Sequence, residues 1–193
     1  PVTVVGIGPL PNIAAALQRD PSMTTNSRFV GMHGSIRRGY LGIPKPMAEY
    51  NVKQFTKASQ TVFGAPWDFT LTPLDTCGTV TLSGERFAAI RDSKDPLTTA
   101  VIENHRLWVK RTDLPHIRDL DSEHQSSTLY DTVAIYLAFS EEFLEMESLT
   151  IRVNEEGQTR IDPAGRSMNC ATEWKDFEAF QDLLVARLTE PPS

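Results

Sequence analysis

The sequence is poor in cysteine and has no long apolar run, and each absence excludes a class of protein. Cys77 and Cys170 are the only cysteines, and they form no C-x-x-C pair. This excludes a disulfide-stapled scaffold and a cysteine zinc site, and it favours two reduced, buried thiols in a cytoplasmic protein. No apolar stretch approaches the ~20 residues of a membrane-spanning helix, so we expect no membrane partner.

Positive charge is also scarce. The chain has 19 Lys and Arg against 25 Asp and Glu, a net charge of −6. An acidic surface argues against nucleic acid as a partner, because phosphate-backbone binding needs a basic patch. The one basic cluster, Arg37-Arg38, is typical of a solvated loop. There is no Gly-x-Ser-x-Gly, which leaves serine-hydrolase chemistry without support.

What the sequence does contain is an alternation of short apolar strands with amphipathic helices, which predicts an α/β fold with an open, mostly parallel sheet flanked by helices. A small hairpin is predicted near the C-terminus, and one domain is expected over residues 1–193. Strands are predicted at Val2–Ile7, Arg28–Met32, Phe69–Leu74, Ser148–Val153 and Gln158–Ile161. Helices are predicted at Asn12–Arg19, Thr56–Phe63, from Ser83, from Asp95 or Pro96, at Ser127–Phe139 and at Trp174–Leu188, with Pro191-Pro192 ending the last and a loop over Lys110–Gln125.

The first strand, Val2–Ile7, is a continuous apolar run, which is typical of a central parallel strand buried on both faces. Such a strand needs neighbours, and here it begins at the second residue of a chain that does not start with Met. We therefore expect the chain to be the C-terminal portion of a longer polypeptide, with an incomplete domain.

The turn after this strand, Gly6-Ile7-Gly8, resembles the start of a dinucleotide-binding pattern. The third glycine of that pattern is absent, because Pro11 stands in its place, and Pro9 removes a backbone donor from any phosphate cradle. The glycines are better explained by a sharp turn. His33 lies just beyond the second predicted strand, in the region where such a sheet places its site.

A second group of polar residues, Ala48-Glu49-Tyr50-Asn51, follows a Gly/Pro-rich loop and precedes a helix. In an extended segment Glu49 and Asn51 point to the same side, where a carboxylate and an amide can bind a vicinal diol. The alternative is a helix N-terminal cap with an exposed acid.

A third group, Tyr130-Asp131, lies early in an apolar helix. A carboxylate in the first turn is favoured by the helix dipole, which is one explanation. The other is a metal site, because hard cations such as Ca²⁺ take carboxylate and carbonyl oxygens, and the carbonyl of Pro11 could be a second ligand.

Taken in order, these segments resemble the nucleoside hydrolase family, of the inosine–uridine-preferring type. Val4–Ala14 resembles the family's strand followed by Gly-Pro-Leu-Thr-Asn-Ile-Ala. Val30–Gly34 with Ala48–Asn51 resembles its Met-Gly-Gly strand end and its Ala-Glu-Phe-Asn. Asp131–Ala134 resembles its His-Asp-(Ala/Pro)-x-Ala helix start, and Leu71–Thr76 resembles the intervening strand. The resemblance covers essentially the whole chain.

The resemblance implies Ca²⁺-assisted hydrolysis of the N-glycosidic bond of a ribonucleoside to ribose and free base, in purine or pyrimidine salvage. The Pro11 carbonyl and the Asp131 carboxylate would be Ca²⁺ ligands, and Asp131 would also contact the substrate. Glu49 and Asn51 would hold ribose hydroxyls, with Met32 against the sugar. Tyr130 would contact the leaving group.

The family also has an N-terminal Asp-rich motif, Asp-x-Asp-x-x-x-Asp-Asp, which supplies Ca²⁺ ligands and the carboxylate thought to activate water. This chain contains no such motif. The resemblance therefore implies a missing N-terminal half of the same fold as a partner and predicts that these 193 residues alone are inactive. Whether the protein forms a homo-oligomer is left open.

The missing Asp-rich motif, together with the changes at Tyr130 and Phe55-Thr56, favours a second hypothesis, a non-catalytic ligand-binding or structural homologue. Three departures from the family pattern lie within this chain. Pro11 replaces a Thr, which keeps the carbonyl and loses a hydroxyl. Tyr130 replaces a His, and a phenol with an ordinary pKa of about 10 is a weak acid near neutral pH. Phe55-Thr56 replaces the common Asp-Pro. A third hypothesis is a nicked enzyme, with this fragment paired to its own N-terminal half.

Overall fold

The computed structural model describes residues 2–189, apart from the side chains of residues 115 and 116, and it confirms an α/β architecture with a mostly parallel sheet. The strands are β1 Val2–Gly6, β2 Ser27–Met32, β3 Asp68–Thr72, β4 Leu144–Val153, β5 Thr159–Ile161 and β6 Arg166–Trp174. The helices are α1 Pro11–Arg19, α2 Met23–Asn26, α3 Tyr50–Gln54, α4 Thr56–Gly64, α5 Leu74–Cys77, α6 Gly84–Arg91, α7 Pro96–Arg111, α8 Pro115–Arg118, α9 Tyr130–Leu137 and α10 Phe177–Thr189, with a 3₁₀ turn at Tyr40–Gly42.

The chain divides into two compact units. The first comprises the residues up to Thr79 together with Tyr130–Lys175, and the second comprises Val80–Leu129 with the residues from Asp176 onward. The single domain expected over residues 1–193 stays a prediction. None of the helices in the described part of the chain is long and apolar enough to cross a membrane.

The sheet belongs to the first unit and has the order β1-β2-β3-β6-β4-β5. Strands β1, β2, β3 and β6 pair in parallel, whereas β4 pairs antiparallel with both β6 and β5. The β4–β5 pair is the expected hairpin, although β4 begins at Leu144 rather than Ser148. Strand β6 was not predicted, and the expected closing helix from Trp174 begins only at Phe177.

The expectation that β1 is central and fully buried is wrong for the described residues. There β1 pairs with β2 alone, Val2 is 66% exposed, and the strand is otherwise half-buried up to Gly6. An apolar run indicates only that a strand tends to be buried. Within residues 2–189, other residues cover only part of the surface of β1.

Three further boundaries differ from expectation. Strand β3 ends at Thr72, because Pro73 cannot donate to a ladder and Leu74 opens α5. Helix α9 begins at Tyr130, three residues later than Ser127. The expected loop over Lys110–Gln125 contains the short helix α8. The stop at Pro191-Pro192 lies outside the described residues.

The core of the first unit lies where α1 and α4 cover the sheet, and it is built around aromatic side chains of β2 and β3. Phe29 packs against Trp67 and Phe69, with ring centroids 5.2 and 4.5 Å away. Cys170 is part of this core, and Cys77 is also fully buried. Both thiols are free, as expected, and burial raises the pKa of Cys170 to about 12.

The second unit has a smaller core of its own. Leu82, Phe87, Ile90 and Ile102 are buried together, with Leu184 and Leu188 of α10 packed against them. Helix α7 begins where the sequence predicts, since Asp95 caps it by accepting the Thr98 amide at 2.9 Å and Pro96 follows at the first helical position.

Candidate functional site

The predicted site residues of the first unit gather near the carboxyl end of β2. Met32 is the last residue of that strand and is buried. Strands β1 and β3 run parallel to β2 on either side, so the three strands end at one edge of the sheet. Ligands of open α/β sheets bind at such edges.

Glu49 is the N-cap residue of α3 and is only 2% exposed. Its Oε1 accepts the Asn51 amide at 2.7 Å, and its Oε2 accepts the Gly34 and Val52 amides at 3.0 and 3.2 Å. Burial raises the pKa of Glu49 to about 7, although these three hydrogen bonds act in the opposite direction. Glu49 therefore caps a helix, as the alternative predicts, although the acid is buried rather than exposed; its role in binding a sugar stays a prediction.

Asn51 is brought to Met32 by the same cap. Its side-chain amide donates to the Met32 carbonyl at 3.1 Å and contacts the Met32 sulfur at 3.4 Å. The prediction that Glu49 and Asn51 share one face of an extended segment is wrong, because only Glu49 is extended and Asn51 lies in the first turn of α3. The two side chains are neighbours because the Glu49 carboxylate caps the helix that carries Asn51.

Asp131 is the second residue of α9, a helix that packs against β1, β2 and β3. Its position in the first turn agrees with the helix-dipole explanation. The side chain is exposed, yet the protein around it dehydrates the carboxyl enough to raise its pKa. The negative charge of Asp131 also contributes to the raised pKa of Glu49, so the two acids lie within electrostatic range of each other.

Pro11 is the first residue of α1 and is exposed. Its carbonyl and the Asp131 carboxylate are oxygen donors, the type that Ca²⁺ prefers, but Ca²⁺ takes about 6–8 such ligands. Within residues 2–189 no group of three or more His, Cys, Asp or Glu side chains could hold a metal ion. The Pro11 carbonyl and the Asp131 carboxylate are therefore chemically suited to Ca²⁺. They are fewer than the ligands that the ion takes.

Sequence reasoning did not assign Tyr40, whose ring lies edge-to-face against Tyr130 with centroids 6.1 Å apart. The Tyr40 hydroxyl accepts the backbone amide of Tyr50 at 2.8 Å. The only indication of Tyr40 in the sequence was its position in a loop rich in Gly and Pro. The positions of side chains in a long loop cannot be predicted from a sequence pattern.

Asp75 was not identified from the sequence either. It is buried in α5, and its carboxylate accepts the amides of Ile36, Arg37 and Arg38 at 2.8, 2.7 and 3.2 Å. These bonds fold the loop after β2 around the carboxylate. The indication in the sequence was an acid directly after Pro73-Leu74, where helix α5 begins.

His33 is fully buried behind the site rather than open to it. Its Nε2 lies 2.9 Å from the Gly8 carbonyl, and its Nδ1 has no hydrogen-bond partner. Burial lowers the pKa of His33 to about 4, so the ring is neutral near pH 7 and Nε2 donates to Gly8. His33 thus ties the turn after β1 to the end of β2.

Comparison with known proteins gives a consistent result. The model of the family described as "Inosine-uridine preferring nucleoside hydrolase" matches residues 1–183. A pyrimidine-specific ribonucleoside hydrolase, RihA, of Shewanella woodyi is 27% identical over 199 aligned residues, which cover 97% of this chain and 61% of that protein.

Solved structures show the same fold. A plant nucleoside hydrolase, PpNRh1, superposes with a TM-score of 0.81 at 18% identity, covering 98% of this chain and 62% of that one. A purine-preferring ribonucleoside hydrolase from Gardnerella vaginalis gives a TM-score of 0.78 at 21% identity, covering 97% and 60%. The chain thus spans about three fifths of the length of these relatives. Because the family model matches almost the whole chain, the protein belongs to the inosine–uridine-preferring nucleoside hydrolase family.

Proposed function

We propose that the protein, in its full-length form, hydrolyses the N-glycosidic bond of a ribonucleoside to ribose and free base. The observation that carries this proposal is the hydrogen-bonded set of Met32, Glu49 and Asn51 at the carboxyl end of β2, within electrostatic range of Asp131. Family membership supports the same reaction.

The buried residues of the site are suited to bind the sugar of the substrate. The Glu49 carboxylate and the Asn51 amide hold ribose hydroxyls, and Met32 contacts the sugar. Their fixed hydrogen bonds to backbone amides and to the Met32 carbonyl mean that little side-chain order is lost when a ligand binds. Water is largely excluded around Glu49, which strengthens each hydrogen bond made there.

Asp131 and the Pro11 carbonyl are the residues of this chain that would hold Ca²⁺. When bound, the ion would lower the pKa of a water molecule and orient the ribose diol. Asp131 also contacts the substrate on this side. Its carboxylate would favour positive charge on the sugar as the glycosidic bond breaks through an oxocarbenium-like state.

Tyr130 precedes Asp131 and is the residue of this chain proposed to contact the leaving base. Its ring is held edge-to-face by Tyr40, which fixes the side chain next to Asp131. A neutral phenol supplies a hydrogen bond to the leaving group more readily than a proton.

The water-activating carboxylate is proposed to lie on polypeptide outside this chain, as are further Ca²⁺ ligands. Exposed apolar side chains in and just after β1, the edge strand of the described sheet, support such a partner, because Val2 and Ile7 are 66% and 44% exposed. A neighbouring strand there would complete the pairing of β1.

The experiment that tests the function incubates the full-length protein with inosine, uridine, adenosine and cytidine in phosphate-free buffer containing Ca²⁺. We expect ribose and free base in equal amounts from at least one of them, and none from the 193-residue chain alone. No release from any ribonucleoside by the full-length protein would contradict the proposal and favour a non-catalytic homologue.

A further inference from the structure

The turn between β1 and α1 leaves the backbone little freedom. At its far end Leu10 is 1% exposed and is the N-cap residue of α1, and its carbonyl accepts the Ala14 amide at 2.9 Å. Pro9 and Pro11 stand on either side of Leu10, and the proline ring fixes φ at both positions. The turn is therefore stiff from Pro9 onward, and its course depends on how Gly8 is held.

Gly8 is held by a side chain that follows the neighbouring strand. His33 comes directly after the last residue of β2, and its Nε2 lies 2.9 Å from the Gly8 carbonyl. Because a carbonyl can only accept, Nε2 carries the proton of the neutral ring and Nδ1 carries none. A Cβ on Gly8 would meet nothing within 4 Å among the described residues. The His33 hydrogen bond therefore restrains Gly8 on a side where packing does not.

The space for the His33 ring comes from two glycines that face each other across β1 and β2. Gly6 and Gly31 are partners in the parallel ladder. A Cβ on Gly31 would lie 2.6 Å from His33 Nδ1, and a Cβ on Gly6 would lie 3.3 Å from His33 Cε1. The rings of Phe29 and Phe63 lie beside it, with centroids 6.0 and 6.3 Å from that of His33. Because the ring is enclosed and fully buried, its direction toward the turn is set by the fold.

This restraint bears on the Pro11 carbonyl, which lies three residues after Gly8 at the first position of α1. The carbonyl is the oxygen that the proposed function gives to Ca²⁺. A backbone carbonyl has no rotamers, so only the backbone on either side of it can set its position. Helix α1 holds it from one side, and the hydrogen bond of His33 to Gly8 holds the turn from the other.

We propose that His33 is a positioning residue, which places the Pro11 carbonyl for Ca²⁺ by donating a hydrogen bond to the Gly8 carbonyl. This inference rests on the proposed function, and it assigns no contact between His33 and the ion or the substrate. Because His33 acts through the backbone, its loss should weaken Ca²⁺ binding while every oxygen ligand stays in the chain.

The test compares Ca²⁺ binding by the full-length wild type, His33→Phe and His33→Gln in isothermal titration calorimetry. Phe keeps a planar ring and removes the donor, whereas Gln places an amide N–H near the position of Nε2. We expect the Kd for Ca²⁺ to rise about 10-fold in His33→Phe, the lower end of the effect of groups that orient metal ligands. His33→Gln should recover most of this loss. The Ca²⁺ concentration that gives half-maximal base release from uridine should shift by the same factor.

Ile151→Val is the matched control for a general loss of stability. Ile151 is 1% exposed in β4, and strands β2, β3 and β6 separate β4 from β1. This variant should lose stability through lost packing and keep the wild-type Kd for Ca²⁺. Urea unfolding shows that each variant is folded. If His33→Phe does not fold, His33→Leu takes its place, since it removes the donor with a smaller side chain.

Equal Kd values in the wild type and the variant without the donor would overturn the inference. An equal rise in His33→Phe and His33→Gln would also overturn it, because the ring would then act by packing alone. Base release by a wild type that binds no Ca²⁺ would overturn the role of the ion and, with it, this inference. Ca²⁺ binding without base release from any ribonucleoside would overturn the proposed function, and the Kd values would still decide on His33. Normal Ca²⁺ binding and base release without a His33 effect would overturn this inference alone.

Discussion

The two sides of the candidate site differ in how completely the protein has already satisfied them. On one side Glu49 and Asn51 are buried and hydrogen-bonded to backbone groups. On the other side Asp131 and Pro11 are exposed, and no hydrogen bond or ion pair of the Asp131 carboxylate is found within residues 2–189. One side is therefore preorganised by folding, and we propose that the other side leaves its oxygen atoms free to bind a ligand or an ion.

The largest expected effect comes from the open side. Asp131→Ala in the full-length protein should lower base release roughly 100- to 1,000-fold, because the charge that we propose stabilises the transition state is lost. The free energy of unfolding should change by no more than about 0.5 kcal/mol, as is usual for an exposed residue. Turnover assays and urea unfolding measure the two quantities. Unchanged turnover would show that Asp131 takes no part in the reaction.

The preorganised side should respond in the opposite manner, with a loss of stability. Glu49→Gln places a side-chain NH₂ against backbone N–H donors, so at least one buried amide loses its acceptor. We expect a loss of about 1–3 kcal/mol in the free energy of unfolding, together with a higher KM. Asp131→Asn is the matched control and should leave stability unchanged. Equal losses of stability in Glu49→Gln and Asp131→Asn would contradict the distinction between the two sides of the site.

The packing behind the preorganised side can be tested at two glycines. A Cβ on Gly31 would lie 2.6 Å from both His33 Nδ1 and Phe29 Cε1, whereas a Cβ on Gly8 meets nothing within 4 Å. Gly31→Ala should therefore cost about 1–3 kcal/mol of stability through overpacking. Gly8→Ala should change stability by less than about 0.5 kcal/mol. Thermal unfolding of the two variants measures these differences in stability. A Gly31→Ala variant as stable as the wild type would show that the residues around Gly31 are loosely packed.

A pH dependence of stability is also expected, and it arises from Glu49. Because its pKa is about 7 when folded and 4.5 ordinarily, the folded state binds more protons between these values. Its contribution to the free energy of unfolding therefore falls as pH rises from about 4.5 to 7, by at most about 1.4 kcal/mol per pH unit.

His33 acts in the reverse sense, since its pKa falls from 6.5 to about 4, so its contribution rises with pH across that window. The two effects oppose each other between about 4.5 and 6.5. The difference between the wild-type and Glu49→Gln curves isolates Glu49. A difference that does not change with pH would contradict the raised pKa.

The sequence predicts the elements that have a clear apolar period or end signal. Strands β1 to β3, helices α1, α4 and α7 and the hairpin were found because each has several apolar residues in register or a Pro, Gly or Asp at its end. Strand β6 was missed because its buried positions include Met168, Cys170 and Thr172, which resemble no uniform apolar alternation. Its place between β3 and β4 is decided by tertiary pairing, which a local pattern does not contain.

The candidate site was found in part for the same reason. Glu49, Asn51 and Asp131 stand next to helix starts and strand ends, which the sequence marks. Tyr40 and Asp75 act across the loop after β2 through contacts over 10 or more residues. Such contacts follow from the folded loop rather than from spacing along the chain.

We propose that the open side of the site works only with Ca²⁺, whereas the preorganised side is built by folding alone. The most direct test removes Ca²⁺ from the full-length protein with a chelator and then restores it, while base release from uridine and inosine is measured together with the unfolding curve of this unit. We predict that base release is lost and then restored and that the stability effect of Glu49→Gln is the same with and without Ca²⁺. Base release that continues at the same rate in the chelated protein would contradict a role for Ca²⁺.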